Sequence, residues 1–252
     1  MLLKKVNMEK KYKLTDEYIF QYGVKLFRIE AVKNFKDVKK GDKGGFVENE
    51  NNLSHDGDCW IYGKAKVFGH ANVYGNAIVC DDAKVYGEAN IFDNAEVYGN
   101  AMVHGRANVF GSAHVFENAK VYGYANVYDN AIVDGYAEVY DHAKIYNNAH
   151  VFDTARVVGI SKVCGDCEVF GDAEVCGNAL IKSMSDYIVF KNWWSSGRYF
   201  TWTRNNNMWS VGCFFGTGEE LIAKAYKDSE LSGREYERVV RYVESIINED
   251  RI

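Results

Sequence analysis

The stretch GRANVFGSAHVFENAKVYGYANVYDNA, residues 105–131, is one six-residue phrase, G-x-A-x-V-[YF], repeated with small edits. Extending its register in both directions gives twenty uninterrupted hexads, from GKAKVF at 63–68 to GNALIK at 177–182. Position 5 is Val or Ile in all twenty, and position 3 is Ala in eighteen, with Ser161 and Cys167 as the exceptions. Such self-similarity is the mark of a stacked repeat and outranks any local motif. Positions 3 and 5 lie two apart, so in a short strand they face the same way. They hold the small and the aliphatic residue and form the inward face. Positions 4 and 6, rich in Lys, Asn, Glu, Tyr and Phe, face out. Position 1 is Gly thirteen times and Asp five times, residues that accept positive φ at a corner. Strand and corner, three times over, predict a triangular coil. Parallel pairing at about 4.8 Å stacks seven such coils, counted from GDCWIY (57–62), into a column of roughly 34 Å. GFVENE and NNLSHD (45–56) read as a degenerate first two sides.

Read from position 5, the phrase V-Y-G-N-A-x resembles the hexapeptide repeat of left-handed parallel β-helix proteins, and the resemblance covers about half of the chain. The left hand is what that resemblance implies; parallel crossovers are ordinarily right-handed. The monotony of the VYGNA-type repeat, with these flanks, also resembles hexapeptide-repeat proteins of phages and gut bacteria. That narrower likeness brings no catalytic residues with it.

Three segments follow: an N-terminal β cap (1–56), the parallel β-helix (57–182) and a C-terminal α+β unit (183–252). The expected class is mainly β. In the first segment YIFQYGVKLFRIEAV predicts two or three short strands over the first coil. In the last, DYIVFKNWW, GRYFTWTR and MWSVGCFF predict strands, and two helices follow with capping-box starts at Thr217–Glu220 and Ser232–Glu235. Tyr236, Val239, Val240, Val243, Ile246 and Ile247 make one helical stripe.

The bulk numbers exclude several classes. No apolar run approaches the 18 or so residues of a membrane span. The opening MLLKKVNMEKKYKL has no apolar core of a signal peptide, and the six cysteines have no disulfide-framework spacing, so a reducing cytoplasm is the expected setting. The net charge of −5 is concentrated in the repeats, which argues against a phosphate-binding groove and hence against nucleic acid.

Candidate chemistry is sparse. The resemblance implies acyltransferases, which are trimers using a His and an excursion loop between columns. Here no residue interrupts the hexads, and His114 is the one catalytic candidate, two coils from His150 on the same side. Cys164 and Cys167 spell C-x-x-C but face opposite ways, so no metal site is expected. No cofactor motif is complete: Gly216-Thr-Gly218 before a helix lacks the rest of a phosphate fingerprint. Trp193, Trp194, Trp202, Arg204 and Trp209 are either a stacking platform or the core of a small sheet.

The lateral pattern says most. Residues 18 apart stack on one side, where position 4 reads Asn72, Asn90, Asn108, Asn126 and position 6 reads Tyr74, Phe92, Phe110, Tyr128, Tyr146. An uncovered aromatic ladder of that length marks an interface. The expected function is therefore a non-enzymatic rigid scaffold, a dimer or trimer, that binds a protein partner. If the phage likeness holds, that partner belongs to the host, for example a defence component to be inhibited. The alternatives are a hexapeptide-repeat acyl- or nucleotidyl-transferase with a site between columns, and a filament-forming β-helix.

Overall fold

The computed structural model describes residues 9–249; the opening segment read for a signal peptide lies largely outside them. The hexads form a parallel solenoid with three flat sides. Each hexad contributes a two-residue strand at positions 4 and 5, as in Asn108–Val109, which pairs in register with Asn90–Ile91 on the coil before and Asn126–Val127 on the coil after. The inward assignment holds without exception for the valines and isoleucines at position 5 and the alanines at position 3, all of which are buried. All twenty position-1 residues have φ between +56° and +79°, so this single residue turns the corner. Asp at position 1 has a second use. Asp81, Asp93 and Asp153 each accept the backbone N–H of the next coil's corner residue, Gly99, Gly111 and Gly171, at 3.0–3.2 Å.

The solenoid has about eight coils rather than seven. The degenerate sides at 45–56 are a true first coil: Val47 pairs with Val67, Leu53 bridges to Val73, and Ile61 pairs with Val79.

Apart from the bonds within the strand pairs themselves, the inter-coil backbone hydrogen bonds run one way. Even-position N–H groups donate to odd-position carbonyls of the following coil, as Asn90 to Ala107 and Phe92 to Val109. The first coil therefore presents an excess of bare carbonyls and the last an excess of bare N–H groups, and each needs a cap. At the first coil, strand β1 (Tyr12–Gln21) forms a hairpin with β2 (Val24–Ala31), and β2 pairs with β3 (Lys43–Val47), the first strand of its side. Just ahead of and within β1, Lys11 and Tyr12 turn inward. The buried Lys11 ammonium donates to the carbonyls of Gly57 and Cys59 at 3.1 and 2.8 Å and to the Cys59 thiol at 3.1 Å. The Tyr12 hydroxyl lies 2.8 Å from the Leu53 carbonyl, which it can donate to. At the last coil, Glu174 N–H donates to Thr201 Oγ1 and Lys182 N–H to Asp186 Oδ2.

The C-terminal unit is a four-stranded antiparallel meander (Tyr187–Lys191, Tyr199–Thr203, Met208–Val211, Phe214–Gly216) under helices α1 (Gly218–Asp228) and α2 (Glu230–Glu249). The stretch MWSVGCFF, expected as one strand, folds as two because Gly212, at φ +59°, turns it back on itself. Helix α2 also starts earlier than the Ser232 cap predicts: Ser229 Oγ takes the Ser232 N–H, so Ser229 is the capping side chain. The Thr217–Glu220 capping box forms as expected. Tyr236, Val240 and Val243 from the stripe enter a second core with Phe200, Trp202, Trp209 and Leu221.

Candidate functional site

The three sides of the column differ in what covers their ladders. On the side extended by the hairpin, Phe68, Tyr86, His104, Tyr122 and Tyr140 stack at 4.7–5.1 Å with planes within 9° of parallel. The hairpin roofs the first rungs: Phe68 is buried with Leu26 and Phe46, and Tyr22 reaches Phe68 and Tyr86. Farther along, the Lys120–Glu138 pair at 2.8 Å and the Arg156–Tyr140 hydrogen bond put charge on this side. Burial, then Lys120, holds the His104 pKa below its usual value, so this ring stays neutral within the stack.

The second side carries the Asn–aromatic pattern. Tyr74, Phe92, Phe110, Tyr128 and Tyr146 stack at 4.8–5.1 Å, all within 3° of parallel. Beside them, Asn90 donates to Asn108 and Asn108 to Asn126, both at 3.1 Å. Asn72 stands outside this chain and donates to the His70 carbonyl instead. The rings are half-buried, with Tyr74 the most open at 39%. The stacking thus covers both faces of the three inner rings and leaves the ring edges in a flat strip.

The third side is broken. Tyr98–Phe116 and Phe152–Phe170 stack, but Asp134 separates the two pairs. His150 Nε2 lies 3.1 Å from both Asp134 oxygens, with its ring tilted on Phe152. His114, the candidate singled out by register, has a looser partner in Glu96 at 3.6 Å. The His150–Asp134 pair joins residues 16 apart, position 6 of one coil to position 4 of the next. The same diagonal recurs at Tyr122–Glu138 and Tyr140–Arg156, and 18-residue bookkeeping alone overlooks it.

The remaining candidates resolve by burial. Trp202 and Trp209 are core residues, Trp194 is half-buried against Tyr236, and Trp193 stands 74% exposed. Arg204 lies 5.8 Å from the Trp202 ring. The glycine turn at 216–218 is closed by the Glu220 carboxylate, which accepts from the Thr217 N–H at 2.8 Å and would repel an anion. Among the described residues no group of three or more His, Cys, Asp or Glu could hold a metal ion. No helix of the described residues is long and apolar enough to cross a membrane.

All six cysteines are free. Cys167 points inward and lies 2.9 Å from the Cys164 carbonyl, while Cys164, although on the outer face, is also buried. Burial pushes the thiols of Cys80 and Cys167 up to about 11 and that of Cys176 up to about 12, and it raises Cys59 as well. Only Cys213 is exposed. Iodoacetamide at pH 8 should therefore alkylate Cys213 well before the other five, as read by peptide mass mapping. Equal labelling of Cys176 would contradict its packing against Ser210.

Comparison with known proteins adds one relation. Over 76 aligned residues, spanning 27% of this chain, the sequence is 37% identical to a protein named "Uncharacterized acetyltransferase YdcK" from Escherichia coli (strain K12). The aligned part covers 23% of that relative, so the chain spans less than a quarter of its length. No protein-family model matches the chain.

Proposed function

We propose that the chain is a rigid binding scaffold whose Asn–aromatic side packs against a second copy, forming a dimer or trimer. The observation that carries this reading is the unbroken strip from Tyr74 to Tyr146, flat, half-exposed and without charge at positions 4 and 6 from Asn72 to Tyr128, with the Glu88–Arg106 ion pair on the corner that borders it. The other two sides lack that combination: one is roofed and charged, the other interrupted by Asp134. The C-terminal unit then remains available for a protein partner. A host component as that partner is the finer reading, and it rests on the phage-type likeness of the repeats and flanks.

The test is the mass in solution. Sizing with light scattering should give a multiple of the 28.6 kDa chain. The double substitution Phe92→Glu, Phe110→Glu should reduce it to one chain, because apposed carboxylates in a flat contact repel and must desolvate. Wild-type protein running as a single chain, or a variant of unchanged mass, sinks the interface.

A second reading, acyl transfer, is favoured by the stretch shared with a protein named an acetyltransferase. His150, oriented by Asp134, is then the stronger general-base candidate than His114. Saturable acetyl-CoA binding by calorimetry, with acetyl transfer lost in His150→Asn, would replace the scaffold reading. Absence of any binding heat from intact protein removes the transferase reading.

A further inference from the structure

The C-terminal unit encloses a cavity of about 360 Å³ between the loop at 192–198, the Val211–Phe214 turn and the two helices. That volume lies in the range of small-molecule sites. Its apolar wall is Val211, Phe214, Leu221 and Ala225.

The polar side is set by a chain of hydrogen bonds with one loose end. Asn192 is buried, and its Oδ1 accepts the Ser195 N–H at 2.9 Å. That bond fixes the amide, so Nδ2 is the atom that donates to the Tyr236 hydroxyl oxygen, at 2.9 Å. A phenol can donate and accept. Here the acceptor role is filled, and the Tyr236 proton has no acceptor among the described residues. Tyr236 is 93% buried by the complement of its 7% exposure and lines the cavity. Burial raises its pKa, so the proton is held at neutral pH.

Two cations stand at the mouth without ion pairs among the described residues: Arg198 and Lys224. Arg198 Nη1 lies 3.2 Å from where a Cβ on Gly212 would stand, which places the guanidinium over the turn. Asp228 lines the cavity as well, leaving the rim with a net charge of one positive. Its field and that of Arg198 both reach the Tyr236 hydroxyl. A single negative charge fits such a rim; a dianion would meet Asp228.

We infer that this cavity binds a small organic carboxylate with an aromatic or bulky apolar body, its head held by Tyr236, Arg198 and Lys224. The inference is independent of the oligomer and of acyl transfer, since no residue of the column's Asn–aromatic side or of the His150–Asp134 pair takes part.

The test is an NMR and calorimetric titration of the full chain with 2-naphthoate, its neutral counterpart 2-naphthamide, and acetate. Naphthoate should bind saturably, shift amides at 195–198 and 211–214, and slow alkylation of Cys213, which also lines the cavity. Arg198→Gln, at an exposed site, should weaken binding about tenfold, and Tyr236→Phe by a similar factor, since each removes one hydrogen bond to a charged head. Naphthamide binding as tightly as naphthoate overturns the anion assignment, and acetate binding as tightly overturns the apolar body. Lack of saturable naphthoate binding, or binding unmoved by Arg198→Gln, overturns the site itself.

Discussion

Val109→Asp should unfold the middle of the column. Val109 has no measurable exposure and stacks between Ile91 and Val127 in a core of valines and alanines. No side-chain donor enters the column at that level, so a carboxylate there is left unpaired or must take up a proton. Either way the loss is about 4 kcal/mol or more, a large share of the 5–15 kcal/mol that holds a domain together. Repeats in a solenoid couple mainly to their neighbours. The melting transition should therefore drop sharply and lose its single step, and limited proteolysis should cut between about residues 100 and 120. A variant that melts within a few degrees of wild type, in one step, would mean that the column tolerates a buried charge, and the packing account would fail.

Gly111→Val comes next in expected size, and its control makes it informative. Gly111 sits at φ +69°, and an added Cβ would lie 2.8 Å from the Asp129 backbone nitrogen. Valine is poorly accommodated in that backbone region and its two branches add to the crowding. The expected cost is about 2–3 kcal/mol. Gly111→Asn should cost under about 1 kcal/mol, because Asn147 already holds the same corner position at φ +58° two coils on. Urea midpoints of the two variants measure the difference. Equal midpoints would show that the corner conformation is not what selects glycine there.

These two sites also show what could be read without coordinates. Val109 and Gly111 declare themselves because strand period and corner geometry act on every hexad alike, so twenty copies average out local accident. Even the degenerate first coil was legible, since Val47 and Leu53 keep the aliphatic position. The caps were not. A buried Lys11 at the start of the hairpin looks like an error in a hydrophobicity pattern, and only the bare carbonyls of Gly57 and Cys59 explain it. The start of α2 was misplaced because Ser229 and Ser232 both carry a capping hydroxyl, and the chain settles the choice through packing after α1. In the candidate site, the register found the Asn–aromatic strip. The His150–Asp134 contact escaped it, because a diagonal between coils depends on which way side chains lean. The cavity around Tyr236 joins four separate segments, and no spacing announces that.

The prevailing direction of the inter-coil hydrogen bonds makes the column a polar rod. Its two ends are chemically unlike: an ammonium, Lys11, plugs the acceptor end, and a carboxylate, Asp186, seals the donor end. Growth end to end would have to be head to tail and would have to evict both plugs. Side-by-side assembly inherits the same arrow. A two-fold pair through the Asn–aromatic side can set the arrows against each other and place the C-terminal units at opposite tips. A three-fold bundle must align them and gather all three units at one pole. In an assembly of the proposed kind, the geometry would decide whether a partner meets these units singly or as a cluster.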